Sequence, residues 1–145
     1  MIKVRAAAVT DAGDLAEIEA TQPCSARWGE AGLLAEIANK FSCVLVACMS
    51  EGVVGFICFR GVVPEGELLN FAVDKNAEGN GVGTALIKEL FKELKHRKFK
   101  RVTLEVNEHN AKAVNIYAKN GFKTIGQREN FYNGTENALL MEKFL

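Results

Sequence analysis

Asp74-Lys75-Asn76-Ala77-Glu78-Gly79-Asn80-Gly81-Val82-Gly83-Thr84 sets three glycines at alternate positions directly ahead of an amphipathic run. Glycines at this spacing let backbone amides approach an anion without Cβ obstruction. A helix that starts here aims its free amides and its positive dipole end at the same point. Together these make a site for a pyrophosphate. A flexible loop before a helix has similar spacing, so the glycines alone do not name the ligand. A P-loop needs a lysine before its final Ser or Thr, and Gly83-Thr84 lacks one. A dinucleotide fingerprint expects a βαβ unit and a later acidic residue, and the order of elements here is wrong for it.

Working outward, Val82 to Lys98 has helical periodicity, with Leu86, Leu90 and Leu94 on one stripe, Ile87 and Phe91 beside it, and Lys88, Lys92 and Lys95 facing away. Upstream, Cys43 to Met49 and Val53 to Val62 read as strands joined by a turn at Ser50-Glu51-Gly52. Pro64-Glu65-Gly66 makes the next turn, and Leu68 to Val73 is a third strand. Nearer the N-terminus, Ile2 to Arg5 alternates as a short strand, and Thr10 is placed to cap a helix carrying Leu15 and Ile18. Gln22-Pro23-Cys24-Ser25 breaks that helix, and a second is expected from about Glu30 to Asn39. Downstream, Val102 to Val106 is β-rich, Asn110 caps a helix that Gly121 ends, and Phe122 to Gly126 and Ala138 to Phe144 read as closing strands. The order predicts one α/β domain over residues 1–145, with a central, mixed, mostly antiparallel sheet flanked by helices.

A chain of 145 residues suits one core, and 48% hydrophobic with 25% charged residues is ordinary for a globular protein. Lys plus Arg equals Asp plus Glu at 18 each, so no basic excess points to nucleic acid and no polybasic run to a membrane surface. The N-terminus lacks the apolar run of a signal peptide, which makes the cytoplasm the expected location. Of the four cysteines, none forms a Cys-x-x-Cys pair, and with only two histidines no metal site is expected. Cys43, Cys48 and Cys58 lie in apolar runs and are expected as buried thiols, while Cys24 lies in a loop with nothing nearby to activate it.

Val73-Asp74, then Glu78-x-x-Gly81-x-Gly83 and Ala85-Leu86, resembles the acetyl-CoA motif of the GNAT superfamily of N-acetyltransferases. The late segment Asn110-x-x-Ala113-x-x-Ile116-Tyr117-x-x-x-Gly121-Phe122 extends the resemblance over nearly the whole chain. It implies a GNAT-like fold. It also implies acetyl-CoA as co-substrate, with Phe71, Ala72 and Val73 meeting its pantetheine arm. Gly79, Asn80, Gly81, Val82, Gly83 and Thr84 would surround its pyrophosphate, and Asn110 would contact it. The family pattern has Gln or Arg where this chain has Glu78. An acidic side chain beside phosphates is unfavourable unless it turns outward. The cradle is expected to bind through backbone amides, with Glu78 working against affinity.

Acetyl transfer to an amine has two proton problems: the ammonium must lose a proton before attack, and the departing thiolate must gain one. A carboxylate in an apolar setting serves as base because burial raises its pKa, and a tyrosine hydroxyl serves as acid for a thiolate with a pKa near ~8.5. Glu105 interrupts the apolar strand Thr103-Leu104-Glu105-Val106, where alternation alone also fits an outward-facing charge. By pattern alone Tyr117 reads first as a core aromatic with a wet hydroxyl.

Leu69-Asn70-Phe71-Ala72-Val73, Leu104-Glu105-Val106, Asn115-Ile116-Tyr117 and the tail Arg128-Glu129-Asn130-Phe131-Tyr132 most resemble the ribosomal-protein-alanine N-acetyltransferases of the RimI type. That resemblance implies Glu105 as proton acceptor and Tyr117 as proton donor. The acceptor it implies is the N-terminal alanine of a small-subunit ribosomal protein. Trp28, Glu129 and Tyr132 would line the peptide groove, with Glu136 nearby; Trp28 also fits a packing anchor for the helix pair, and the two acids also fit solvated loop charges. His109 is either a proton relay or a solvated loop residue, and His96 suits the negative end of a helix. Two other functions fit the same cradle. One is an acetyltransferase for small amines such as polyamines or amino sugars, and the other a CoA-binding module without catalysis.

Overall fold

The computed structural model describes residues 1–22, 26–132, 134 and 136–145, except for the side chain of Tyr132. Pro23, Cys24 and Ser25 fall outside the described residues, and with them the loop placement of Cys24. Among the described residues seven strands form one sheet: β1 (Lys3–Ala6), β2 (Ser42–Met49), β3 (Gly52–Val62), β4 (Glu65–Val73), β5 (Arg101–Asn107), β6 (Lys123–Tyr132) and β7 (Glu136–Phe144). Their order in the sheet is β1-β2-β3-β4-β5-β7-β6, with every pair antiparallel except β4 and β5. Among the described residues four α-helices complete the fold: α1 (Ala12–Ala20), α2 (Gly29–Ala38), α3 (Val82–His96) and α4 (Ala111–Lys119). The parallel pair arises because β4 returns to β5 through α3, the crossover that parallel pairing requires. Among the described residues no helix is long and apolar enough to cross a membrane.

The central strands are covered on both faces, which is why Cys43–Ala47 and Val54–Phe59 are continuous apolar runs. One face packs under α3 and α4, where Leu86, Ile87, Leu90 and Leu94 are completely buried. Each such side chain contributes about 1.5–3 kcal/mol. The other face packs under α1 and α2 through Leu15, Ile18, Leu33, Val46 and Phe56. Cys43 and Cys58 are buried free thiols, both pushed up by burial, and Cys48 is half-buried.

Thr10 does not cap α1. A short 3-10 turn, Val9–Asp11, precedes the helix, and the Asp11 carboxylate accepts the Ala8 N–H (2.7 Å) while Arg5 grips it from β1 (2.8 and 3.0 Å). Asp11 occupies the N-cap position of α1 but makes no side-chain bond to the helix, its carboxylate being engaged by Ala8 and Arg5. Asn110 does cap α4, its side-chain oxygen accepting the Ala113 N–H (3.2 Å), and Gly121 closes it at φ +93°. Strand β4 begins at Glu65 and β6 runs to Tyr132, both beyond their apolar segments, because ladder pairing carries the polar stretches.

Candidate active site

The ladder between β4 and β5 joins only Glu65–Arg101, Gly66–Val102 and Glu67–Thr103. Beyond that point the strands part. A cleft of about 610 Å³ lies at the end of β4, walled by the loop and start of α3 on one side and the start of α4 on the other, and neither Glu105 nor Tyr117 lines it. The Asp74 N–H bonds to Val54 O on β3 (2.7 Å). Alternate residues of a strand turn their N–H and C=O to the same edge, so Phe71 and Val73 turn theirs toward the cleft. A register shift opposite Cys58/Phe59 leaves Leu69 as an extra residue in β4. That bulge puts the Phe71 and Val73 side chains on the same face as Leu68, and Asn70 and Ala72 on the α1/α2 face.

Gly79, Gly81, Val82, Gly83 and Thr84 line the cleft with Phe71, Ala72, Val73 and Asn110. Gly81 caps α3 at φ +81° with no side-chain hydrogen bond, and the first intrahelical bond is Ala85 N–H to Gly81 O (3.0 Å). The N–H groups of Val82, Gly83 and Thr84 are therefore helix-terminal donors with no side-chain cap. The glycines differ in purpose. Gly79 and Gly81 adopt positive φ in open space, whereas a Cβ on Gly83 would stand 2.6 Å from Ile116 Cδ1. Asn80 does not line the cleft; its side chain donates to Ala77 O (3.0 Å) and shapes the loop. Uncapped amides at the positive end of a 15-residue helix, beside a β4 edge that no neighbouring strand pairs past Glu67, fit a diphosphate followed by an amide-bearing arm.

Glu78 lines the cleft without leaving an unpaired charge there. Its carboxylate contacts the Lys112 ammonium and lies 3.3 Å from Gln22 Nε2. The Lys112 bond holds its pKa below the usual carboxylate range, partial burial opposing and Gln22 assisting. Gln22 also donates to Val73 O (2.7 Å), so the α1–α2 connection reaches into the cleft. The sequence reading missed Gln22 and Lys112, for which no local pattern gave a signal.

Val102, Leu104 and Val106 of β5 point into the core under α3, which turns Thr103, Glu105 and Asn107 to the opposite face. The Glu105 carboxylate is 2.8 Å from Arg128 Nη2 and its side chain is 22% exposed. The Arg128 guanidinium also lies over the Phe131 ring at 4.8 Å. Glu67 shares this neighbourhood, and its carboxyl is pushed up by burial and by the Glu105 charge, against the pull of Arg128 and Arg60. Tyr117 is buried in α4, one turn after the cleft-lining Ala113, with its ring 5.8 Å from Phe71 and 5.5 Å from Phe122. Glu105 and Tyr117 thus approach the splayed strands from opposite faces of the sheet. His109 lines the cleft as an exposed residue.

Trp28 is half-buried against the smaller core, just ahead of α2. Its N–H donates to Glu19 Oε2 (2.9 Å), the Gly29 N–H donates to Glu19 Oε1 (3.0 Å), and Asn70 Nδ2 donates to Glu19 Oε2 (2.8 Å). Glu19 is 2% exposed and Asn70 4%, so a buried carboxylate ties the Trp28 segment to β4. The available signal was an acid on the apolar stripe of α1 and an amide inside an apolar strand. Glu129 is exposed on β6, and from that strand it is Arg128 that reaches Glu105. The Tyr132 side chain lies outside the described residues. Glu136 accepts from Asn107 Nδ2 (3.0 Å).

Over 89 residues the chain is 36% identical to the [ribosomal protein bS18]-alanine N-acetyltransferase of Escherichia coli (strain K12), a match covering 59% of this chain. The chain spans about 60% of the length of that relative. The crystal structure of the ribosomal-protein-S18-alanine N-acetyltransferase from Escherichia coli is similar with a TM-score of 0.88, at 26% identity over 99% of this chain and 94% of that one. The structure of Ard1 from Thermoplasma volcanium is similar with a TM-score of 0.89, at 26% identity over 99% and 97% of the two chains. Residues 14–122 match the Acetyltransferase (GNAT) family, a span holding α1 through α4 almost entire and the whole cleft. The chain belongs to the GNAT acetyltransferase family.

Proposed function

We propose that the chain is an N-acetyltransferase that moves the acetyl group of acetyl-CoA to an amine, and that the amine is the N-terminal alanine of a small-subunit ribosomal protein. The observation that carries the transfer is the splay of β4 from β5 beside the uncapped start of α3, with Glu105 on the parted strand β5 and Tyr117 one turn after the cleft-lining Ala113. Bound in this cleft, acetyl-CoA supplies an activated acyl thioester. Phe71 and Val73 offer backbone groups to its arm, and Val82, Gly83 and Thr84 offer amides to its diphosphate. Glu105 takes the proton that the acceptor ammonium loses to free its lone pair, and the second N–H proton leaves to solvent as the new C–N bond forms. Tyr117 gives its hydroxyl proton to the sulfur as the C–S bond breaks, and solvent restores both groups.

The acceptor assignment is supported by likeness to relatives that act on ribosomal protein bS18. The acidic pair Glu67 and Glu105 also suits an incoming ammonium, which competes with Arg128 for Glu105. An acceptor screen tests the reading. Purified chain with acetyl-CoA should release thiol with an Ala-initiated peptide of a small-subunit ribosomal protein and far less with polyamines or amino sugars. The reverse order would assign it to small amines, and no release with any acceptor would leave a CoA-binding module.

A further inference from the structure

Glu78 and Lys112 come from opposite walls of the cleft, the loop ahead of α3 and the first turn of α4, and their contact joins those walls. A lysine in the first turn of a helix sits at the wrong end of the dipole, where a cation is repelled unless an anion answers it. The start of α3, a second positive helix end, borders the same cleft. In the ligand-free chain Glu78 is the anion that answers Lys112. The Lys112 side chain is 81% exposed, and an ion pair that open to water is weak and screened by salt. A diphosphate entering between two helix N-termini is a stronger partner than a single carboxylate. Glu78 is not stranded by the exchange, because Gln22 Nε2 stands 3.3 Å from its other oxygen.

We infer that Lys112 is a reserve ligand for the cofactor's diphosphate, held in place by Glu78 in the ligand-free chain and transferred to the phosphates on binding. This rests on the acetyl-CoA reading above. It also changes the part played by Glu78. The acidic residue works against affinity chiefly by competing for Lys112, and in return it keeps the lysine on the cleft wall.

Isothermal titration of the full chain with CoA and with dephospho-CoA, at low and high salt, tests it. Lys112→Met should weaken both ligands about tenfold and flatten the salt dependence, as loss of a charge-assisted phosphate contact does. Lys112→Arg should keep both properties. Glu78→Gln should tighten both ligands about threefold, the gain from freeing an exposed ion pair. Unfolding curves of ligand-free Lys112→Met should overlay wild type, since the side chain is exposed. Equal affinity of Lys112→Met and wild type overturns the inference alone. A loss seen with CoA but not with dephospho-CoA moves the contact to the 3′-phosphate and overturns the diphosphate assignment. No CoA binding by the wild-type chain overturns the inference together with the acetyltransferase reading.

Discussion

Replacing Glu19 by alanine should unfasten the Trp28 segment from the sheet. Donors that converge on this carboxylate include the Trp28 and Gly29 N–H groups and the Asn70 side-chain amide. The two backbone donors lie near the surface, where water replaces their partner at a cost of about 0.5 kcal/mol each. Asn70 is 4% exposed, and its stranded amide costs about 1–3 kcal/mol. The deleted methylene adds about 0.8 kcal/mol, while relief of a desolvated charge offsets part of the sum. The net expectation is a loss of about 3 kcal/mol, a large share of the 5–15 kcal/mol typical of a domain. Glu19→Gln keeps the volume but turns an NH₂ toward a donor, and should lose about half as much. Urea unfolding of Glu19→Ala, Asn70→Ala and the double variant reads these values and a coupling of at least about 1 kcal/mol between the sites. In steady-state kinetics the peptide KM of Glu19→Gln should rise about tenfold with the acetyl-CoA KM unmoved, because a positioned loop is lost rather than the cleft. Additive unfolding energies, or an Glu19→Ala variant as stable as wild type, would refute the anchoring argument.

The remaining expectations concern the chemistry and the pH response. Tyr117→Phe should lower kcat about 10²-fold with both KM values near wild type, and an unchanged kcat removes the hydroxyl from the mechanism. Glu105→Gln should lower turnover about 10²-fold near neutral pH and progressively less as pH rises and the free amine becomes abundant; a uniform loss across the pH range would assign the base elsewhere. Arg5 holds Asp11 below its ordinary 3.8, and for Glu36 the hydrogen bonds of Arg60 and Ser42 outweigh burial and hold it below 4.5. Both folded-state values are depressed, so the stability these groups contribute is complete above the ordinary values and lost as pH falls through the lower, folded ones. Asp11→Asn and Glu36→Gln should therefore flatten the acid limb of stability against pH, and an unchanged slope would discount both pairs.

Elements with a strong apolar period were legible from residue order. Leu86, Ile87, Leu90 and Leu94 marked α3, and the continuous runs of β2 and β3 marked strands covered on both faces. Asn110 and Gly121 bracketed α4 because capping chemistry is local. What escaped depends on partners distant in sequence. The start of α1 moved past Thr10 to Asp11, whose carboxylate is held by Arg5 from β1 and by the Ala8 N–H. The parting of β4 and β5 after Glu67 and Thr103 is a property of pairing, which no single segment encodes. Glu78 read as an obstacle to phosphates because its answer, Lys112, lies 34 residues away. Glu19 and Asn70 are 51 residues apart, and neither alone suggests a buried anchor. The motif residues of the cleft were legible through resemblance, whereas the contacts that position them were not.

Tandem mass spectrometry of an Ala-initiated ribosomal-protein peptide, after incubation with acetyl-CoA and the wild-type chain or Tyr117→Phe, tests the central claim most directly. The account predicts one added acetyl group, located on the α-amine and formed far more slowly by the variant. An unmodified peptide, or an acetyl group on a lysine side chain alone, would contradict it.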